Sequence, residues 1–344
     1  MRRRAILYAL LSAVLFGAST PFAKALVGDM APLMLAGLLY LGSGLGLAAA
    51  VVLRGAPSVR VQSGDWPWLG AAILLGGVAG PALLMFGLIR TEASSASLLL
   101  NLETVFTALL AWLAFRENVD RRVFLGVAAI VAGGAVLSWE HAPRDGGLAG
   151  TLLIAGASLC WALDNNLTRR VSGGDAVTIA ALKGLAAGSV NLLLALAQGA
   201  RLPAAAPIAE AAALGLVGYG VSLVLFILAL RDLGAARTGA YFSVAPFFGA
   251  ALALLLLGEQ VGPGFWLAAG LMGIGVWLHV SERHEHEHAH EPLVHAHEHV
   301  HDEHHRHSHG AGWDGREPHS HEHRHFALRH RHPHYPDLHH RHTH

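Results

Sequence analysis

Apolar runs, each of about 20 residues and so long enough to cross a hydrocarbon core, recur through the first 281 positions of this chain. We identify ten of them as membrane spans. The predicted spans cover residues 5–27, 31–53, 67–89, 93–115, 121–139, 149–171, 174–198, 209–230, 235–257 and 263–281. This pattern predicts an all-α membrane protein of ten transmembrane helices.

The last 63 residues have a different composition. Residues 282–344 hold 23 of the 25 histidines, and apolar side chains are too sparse there to form a core. Prolines, which oppose helix formation, occur at four positions in this segment. We therefore expect a disordered, His-rich tail.

Arginines divide unevenly between the two ends of the predicted spans. If the N-terminus is cytoplasmic, 12 arginines of residues 1–281 flank the cytoplasmic side and 3 flank the other side. The positive-inside rule favours this orientation. Ten spans then return the chain to the cytoplasm. We predict a multi-pass protein of the cell inner (plasma) membrane with both termini cytoplasmic.

The chain also repeats itself. An offset of 145 residues lays residues 11–17 over 156–162, and an offset of 142 lays Glu117 over Glu259. Each unit has an odd number of spans, five, so the two copies are expected to have opposite orientations, as in transporters that alternate access to a midplane site. The predicted organisation is a first unit of residues 1–140 (helices 1–5), a second of residues 148–281 (helices 6–10) and the tail of residues 282–344.

Several short motifs accompany this repeat. They are residues 16–21 (FGASTP), residues 93–104 (ASSASLLLNLET), Arg116-Glu117, Gly126, Gly133-Gly134, and the counterparts Ala245-Pro246 and Gly258-Glu259. Together they resemble the EamA family of the drug/metabolite transporter superfamily, with two EamA units in this chain. The resemblance implies ten helices around a central cavity, formed mainly by helices 1, 3, 4, 6, 8 and 9, and secondary transport of small metabolites. The chain departs from the family pattern at Leu38, where an arginine is frequent, and at Thr104, where a proline is common.

Charged and polar residues inside the spans are the candidates for a substrate site. A charge at a helix centre costs roughly 2.5–3.5 kcal/mol, so such side chains face a cavity, a partner or water. The candidate cavity residues are Lys24, Asn101, Glu103, Trp161, Asp164, Asn165, Lys183 and Tyr241. The two lysines are the only ones in the chain, and Lys24 could pair with Asp164 or Glu103. Interhelical ion pairs or packing without a transport role are the alternatives.

Histidines alternate along the start of the tail, mixed with glutamate and aspartate. Neutral imidazole and carboxylate suit Zn, Ni, Co and Cu in several geometries. The candidate metal ligands are His284, His286, His288, His290, His295, His297, His299 and His301. The alternative is a solvated, pH-sensitive tail, since imidazole ordinarily titrates near 6.5.

These features predict a secondary transporter of small organic metabolites that works by alternating access. One alternative is a divalent metal cation (Zn, Ni or Co) transporter whose tail collects or senses the ion. Another is a membrane-anchored metal buffer or sensor without transport. We expect no enzyme activity, no required cofactor and no nucleic-acid partner, because neither a catalytic constellation nor a basic surface is visible. The expected partners are the lipid bilayer and a small molecule or ion.

Overall fold

The computed structural model describes residues 2–54, 63–115, 121–141, 147–281, 285–290, 293–299, 319–325 and 328–333. These residues belong to two compact units, one made of helices and one made of strands within residues 283–335.

The described part of residues 2–281 is entirely helical. Its α-helices are α1 (Arg2–Leu26), α2 (Pro32–Leu53), α3 (Trp66–Ala72), α4 (Gly80–Leu88), α5 (Ala93–Leu99), α6 (Leu102–Phe115), α7 (Arg121–His141), α8 (Gly147–Val171), α9 (Ala176–Ala197), α10 (Ala205–Leu214), α11 (Ser222–Phe242), α12 (Ala245–Leu257) and α13 (Pro263–Val280). A 3₁₀ turn, Ser63–Asp65, precedes α3. Two π-helical segments join α3 to α4 and α10 to α11.

Seven helical stretches within the described residues are long and apolar enough to cross a membrane. Two shorter apolar helices, at residues 124–139 and 263–278, coincide with predicted spans 5 and 10. The predicted span 4 falls on α5 and α6. A multi-pass membrane protein, helical and without strands in the described part of residues 2–281, is thus confirmed, while ten crossings remain a prediction.

The π-helical segments are Ile73–Ala79 and Gly215–Val221, which begin 142 residues apart. Just after the first segment, Pro81 in the first turn of α4 has no N–H to donate back to the preceding turn. The carbonyl oxygen of Gly76 instead accepts hydrogen bonds from the Tyr40 hydroxyl at 2.8 Å and from Trp161 Nε1 at 3.0 Å. Other helices thus satisfy a backbone oxygen that lipid could not.

Two helix breaks follow the same spacing. Leu100 and Asn101 separate α5 from α6, and Ser243 and Val244 separate α11 from α12, at an offset of 143 residues. After the second break, Pro246 lies in the first turn of α12, where its missing N–H is tolerated.

Glycines allow the helices to approach one another closely. α2 packs along α9, and a Cβ added to Gly184 would lie 2.6 Å from the backbone nitrogen of Gly44. α1 approaches α12 in the same way, since a Cβ on Gly249 would lie 2.7 Å from the carbonyl oxygen of Gly17. Small residues at such crossings are typical of membrane helix packing.

The strand unit contains two antiparallel pairs. β1 (Glu285–His290) pairs with β4 (Leu328–Pro333), and β2 (Leu293–His299) pairs with β3 (His319–His325). These four segments are strands and so differ from the predicted disorder. In them histidine alternates with other residues, and this alternation matches the two-residue period of a strand. The rest of the tail, with His284 and His301, lies outside the described residues.

Candidate functional site

A cavity of about 70 Å³ lies between the helices. Polar residues from five helices line it: Ser12, Glu103, Asp164, Asn165, Lys183 and Ser222. Aromatic residues cover much of the remaining wall: Phe16, Tyr40, Trp161, Tyr219, Phe226 and Phe242. Gly218 and Leu223 complete the lining. The cavity therefore combines a few charges with a large aromatic surface, which is typical of a ligand site.

A buried ion pair joins α8 to α9 at this cavity. The Lys183 ammonium donates to both carboxylate oxygens of Asp164, at 2.6 and 2.8 Å, and to the Thr168 hydroxyl oxygen at 2.9 Å. The Thr168 hydroxyl in turn donates to Asp164 at 2.8 Å. Lys183 is only 1% exposed and Asp164 only 6%. An ammonium has three N–H donors, so these three contacts use all of them.

Glu103, on α6, is the second carboxylate of the cavity. Its Oε1 atom accepts a hydrogen bond of 2.6 Å from the Asn165 side-chain amide. Lys183 is the only cationic side chain among the lining residues, and it is bound to Asp164. Within the described cavity, Glu103 therefore has an amide neighbour and no cationic one.

The aromatic side chains are in mutual contact around Phe16. The Phe16 ring centroid lies 5.4 Å from that of Trp161, 5.6 Å from that of Tyr219 and 5.5 Å from that of Phe242. Tyr40 continues the cluster, 5.4 Å from Tyr219. Two of these four pairs are edge-to-face, a favourable geometry for aromatic rings, and two are tilted. The buried Tyr219 hydroxyl forms no hydrogen bond with any residue that the structure describes.

Five predicted site residues line this cavity: Glu103, Trp161, Asp164, Asn165 and Lys183. The predicted pairing of Lys24 with Asp164 or Glu103 is wrong, because Lys183 lies on the neighbouring helix within reach of Asp164. The resemblance implied that the third predicted span forms part of the cavity wall. In the described lining, the second and seventh predicted spans, which are α2 and α9, contribute Tyr40 and Lys183 instead.

Three other predicted residues lie elsewhere. Lys24, late in α1, donates to the carbonyl oxygens of Leu88 and, at 2.9 Å, of Thr91. Asn101 is buried in the break between α5 and α6, where its amide donates to the carbonyl oxygen of Leu98 at 3.1 Å. Tyr241 packs against a small apolar cluster, Ala5, Ala9, Ala229 and Leu233.

The sequence prediction missed most of the aromatic wall. Phe16 had a detectable signal, because the offset of 145 residues lays it over Trp161. Tyr40, Tyr219 and Phe242 had none, since an aromatic residue in an apolar span looks the same whether it faces lipid or a cavity. Ser12 and Ser222 were also missed; the Ser12 hydroxyl donates to the Ser222 carbonyl oxygen at 2.8 Å.

A second polar cluster lies at the end of α1 and the start of α5. The two carboxylate oxygens of Glu259 accept hydrogen bonds from the backbone N–H groups of Ala93, at 2.7 Å, and Ser94, at 2.9 Å. A carboxylate at a helix N-terminus satisfies free N–H groups and complements the helix dipole. Lys24 binds the carbonyl groups of the same connection, at Leu88 and Thr91.

Among the residues that the structure describes, no group of three or more His, Cys, Asp or Glu side chains could hold a metal ion. The side chains of the eight histidines predicted as metal ligands lie outside that description. Metal binding by the tail stays a prediction.

Known proteins resemble this chain along most of its helical region. The family model described as "EamA-like transporter family" matches residues 3–139 and 148–281. An uncharacterized transporter of Methanothermobacter thermautotrophicus is 30% identical over 280 residues, which cover 76% of this chain and 80% of that protein. The uncharacterized inner membrane transporter YedA of Escherichia coli is 26% identical over 253 residues, 71% of this chain and 80% of that protein.

Two further similarities are informative. The probable 4-amino-4-deoxy-L-arabinose-phosphoundecaprenol flippase subunit ArnE of Pseudomonas fluorescens is 37% identical over 114 residues, 32% of this chain and 95% of that protein. A crystal structure aligns with a TM-score of 0.64 and 20% identity, covering 82% of this chain and 98% of the other. The structural match concerns the fold alone.

Proposed function

Because the chain belongs to the EamA-like transporter family, we propose that it is a secondary transporter of small organic metabolites in the cell inner membrane, and that it works by alternating access. The observation that carries the proposal is the charged, aromatic cavity between apolar helices. Charged residues inside membrane helices usually mark a substrate or ion pathway.

The second polar cluster, formed by Lys24, Glu259 and the backbone groups that they bind, supports the proposal that the cavity is closed at one end. Lys24 follows Phe16 by eight residues, about 12 Å along α1 at 1.5 Å per residue. There Lys24 and Glu259 hold the connection between α4 and α5 from two sides, through Leu88, Thr91, Ala93 and Ser94. We assign these contacts to a gate that is closed in this conformation.

The repeated irregularities support two related five-helix units. The π segments begin 142 residues apart, and the helix breaks lie 143 residues apart. The π segments fall in predicted spans 3 and 8, and the helix breaks fall in predicted spans 4 and 9. Units of five spans have opposite orientations in the membrane, and transporters of this kind rock one unit against the other around a shared site. The positive-inside rule, applied to the arginines that flank the spans, makes both termini cytoplasmic. The closed gate then faces the outer side of the membrane.

Thiol accessibility tests the closed gate without knowledge of the substrate. In a Cys160→Ser background, Leu223→Cys places a thiol in the cavity wall. In oriented vesicles, a membrane-impermeant maleimide is expected to label it from the cytoplasmic side. Adding Glu259→Gln removes a charged acceptor of two backbone N–H groups, so labelling from the outer side should rise several-fold.

Glu210→Gln is the matched control, because Glu210 is an exposed carboxylate on α10. It should leave the labelling pattern unchanged. If Glu259→Gln changes the labelling of Leu223→Cys from neither side of the membrane, the closed gate is contradicted, and the alternating-access mechanism with it.

A further inference from the structure

We propose that the substrate is a small organic monoamine, bound as a cation by the Glu103 carboxylate and the aromatic wall of the cavity. This inference rests on the proposed function, since it assigns a substrate class to the same cavity. It follows from the charges, the aromatic surface and the size of the site.

The charges of the described lining residues favour a cationic substrate over one with a carboxylate. Lys183 is the only cation among the described lining residues, and its three N–H groups are used by Asp164 and Thr168. An anion would therefore meet the carboxylates of Asp164 and Glu103 without a free cation to bind. The carboxylate of a zwitterion, such as an amino acid, would face the same repulsion.

The environment of Glu103 favours an ammonium group. A carboxylate can accept about four hydrogen bonds, and among the described residues the Asn165 amide supplies one to Glu103. A substrate ammonium would supply a positive charge beside the Glu103 carboxylate and up to three N–H donors. Such charge-assisted hydrogen bonds are about twice as strong as neutral ones.

The aromatic side chains offer ring surface where their polar ends are engaged. Trp161 Nε1 and the Tyr40 hydroxyl both donate to the carbonyl oxygen of Gly76, so their ring carbons are what remains for a ligand. Phe16, Phe226 and Phe242 have no polar atoms and line the same cavity. Aromatic faces attract ammonium groups through the ring quadrupole, and desolvation strengthens this attraction.

The cavity is small, which favours a small substrate. About 70 Å³ is small beside the roughly 300–1,000 Å³ of pockets for drug-sized ligands. A compact primary amine with a short aromatic or branched apolar body fits these dimensions better than a large multi-ring cation.

Four probes that share one body test the assignment on the purified full-length protein. They are phenethylamine (cation), phenylalanine (zwitterion), 3-phenylpropionate (anion) and 2-phenylethanol (neutral), each measured by equilibrium dialysis. Phenethylamine should bind at least about tenfold more tightly than the other three, the scale of a charged hydrogen bond. Tighter binding of the zwitterion or the anion, or no binding by any of the four, would overturn the proposal.

Two variants locate the binding. Glu103→Gln preserves shape and should weaken phenethylamine binding about 10- to 100-fold, as expected for loss of a charged hydrogen-bond partner. Phe16→Leu should weaken it about 2- to 30-fold, the range of a cation–π contact. Glu210→Gln should have no effect. If the affinity for phenethylamine is unchanged in both Glu103→Gln and Phe16→Leu, the amine binds elsewhere and the assignment is refuted.

The accessibility experiment separates this inference from the transport mechanism. If Leu223→Cys responds to Glu259→Gln while a zwitterion or an anion is the preferred probe, the substrate class is wrong and the transporter mechanism stands. If Leu223→Cys does not respond, the mechanism fails regardless of which probe binds.

Discussion

Asp164 shows how one residue can bear a charge in an apolar interior. Its two carboxylate oxygens share the Lys183 ammonium, and the Thr168 hydroxyl binds the same group. Gly76 leaves room for this arrangement, because a Cβ at Gly76 would overlap the Asp164 carboxylate. The pair costs desolvation of both ions, so its contribution depends on both members being present.

We expect Lys183→Met to lower the free energy of unfolding by about 3–5 kcal/mol, because it leaves the buried Asp164 charge without its partner. The double variant Asp164→Leu, Lys183→Met should be more stable than Lys183→Met alone. Thermal unfolding in detergent, arranged as a double-mutant cycle, measures the coupling. Additive effects of the two substitutions would show that the pair does not act as a unit.

At the scale of elements, helix irregularities and close helix crossings shape the site. The π segment around Gly76 and Gly77 exposes two carbonyl oxygens, which Tyr40, Trp161 and Asn191 bind. These hydrogen bonds fix two aromatic side chains at the cavity. The close α2–α9 crossing in turn places Lys183, on α9, beside the cavity wall.

The α2–α9 crossing gives a prediction at this scale. Gly184→Ala should destabilise the protein by about 1–3 kcal/mol, the cost of overpacking a tight contact. Gly270→Ala is the matched control, since a Cβ on Gly270 meets nothing within 4 Å; it should be neutral or stabilising by up to about 1 kcal/mol. Unfolding transitions of the two variants, compared with the parent, measure the difference. Equal effects would mean that the crossing tolerates a methyl group.

For the protein as a whole, the helical residues and the His-rich region differ sharply in composition. The family model ends at residue 281, before this region begins. The lining residues of the cavity all lie within the helical unit. Transport and metal binding are therefore expected to be separable.

A chain ending at Arg283 should retain the Glu259-dependent labelling of Leu223→Cys. It should lose most of the Zn²⁺ bound per chain, because 23 of the 25 histidines are removed. Metal content after dialysis against Zn²⁺ checks the second result. Unchanged zinc content in the truncated chain would refute metal binding by the tail.

That this is a helical membrane protein, and where most of its helices lie, follows from the amino-acid sequence alone. Apolar runs need only be long enough to span a bilayer, and this property is local. The sequence also indicated five side chains of the cavity. Four of them, Glu103, Asp164, Asn165 and Lys183, stand out as a charge or an amide in an apolar span, and the fifth is Trp161.

Which of these residues are in contact depends on how the helices pack, and the sequence does not give this. Lys183 rather than Lys24 binds Asp164, and Glu259 caps a helix that begins 166 residues earlier in the chain. Tyr40, Tyr219 and Phe242 face the cavity because of the rotation and crossing of their helices. Periodicity gives the faces of a helix, but in a span that is apolar all round it does not say which face meets lipid and which meets a neighbour.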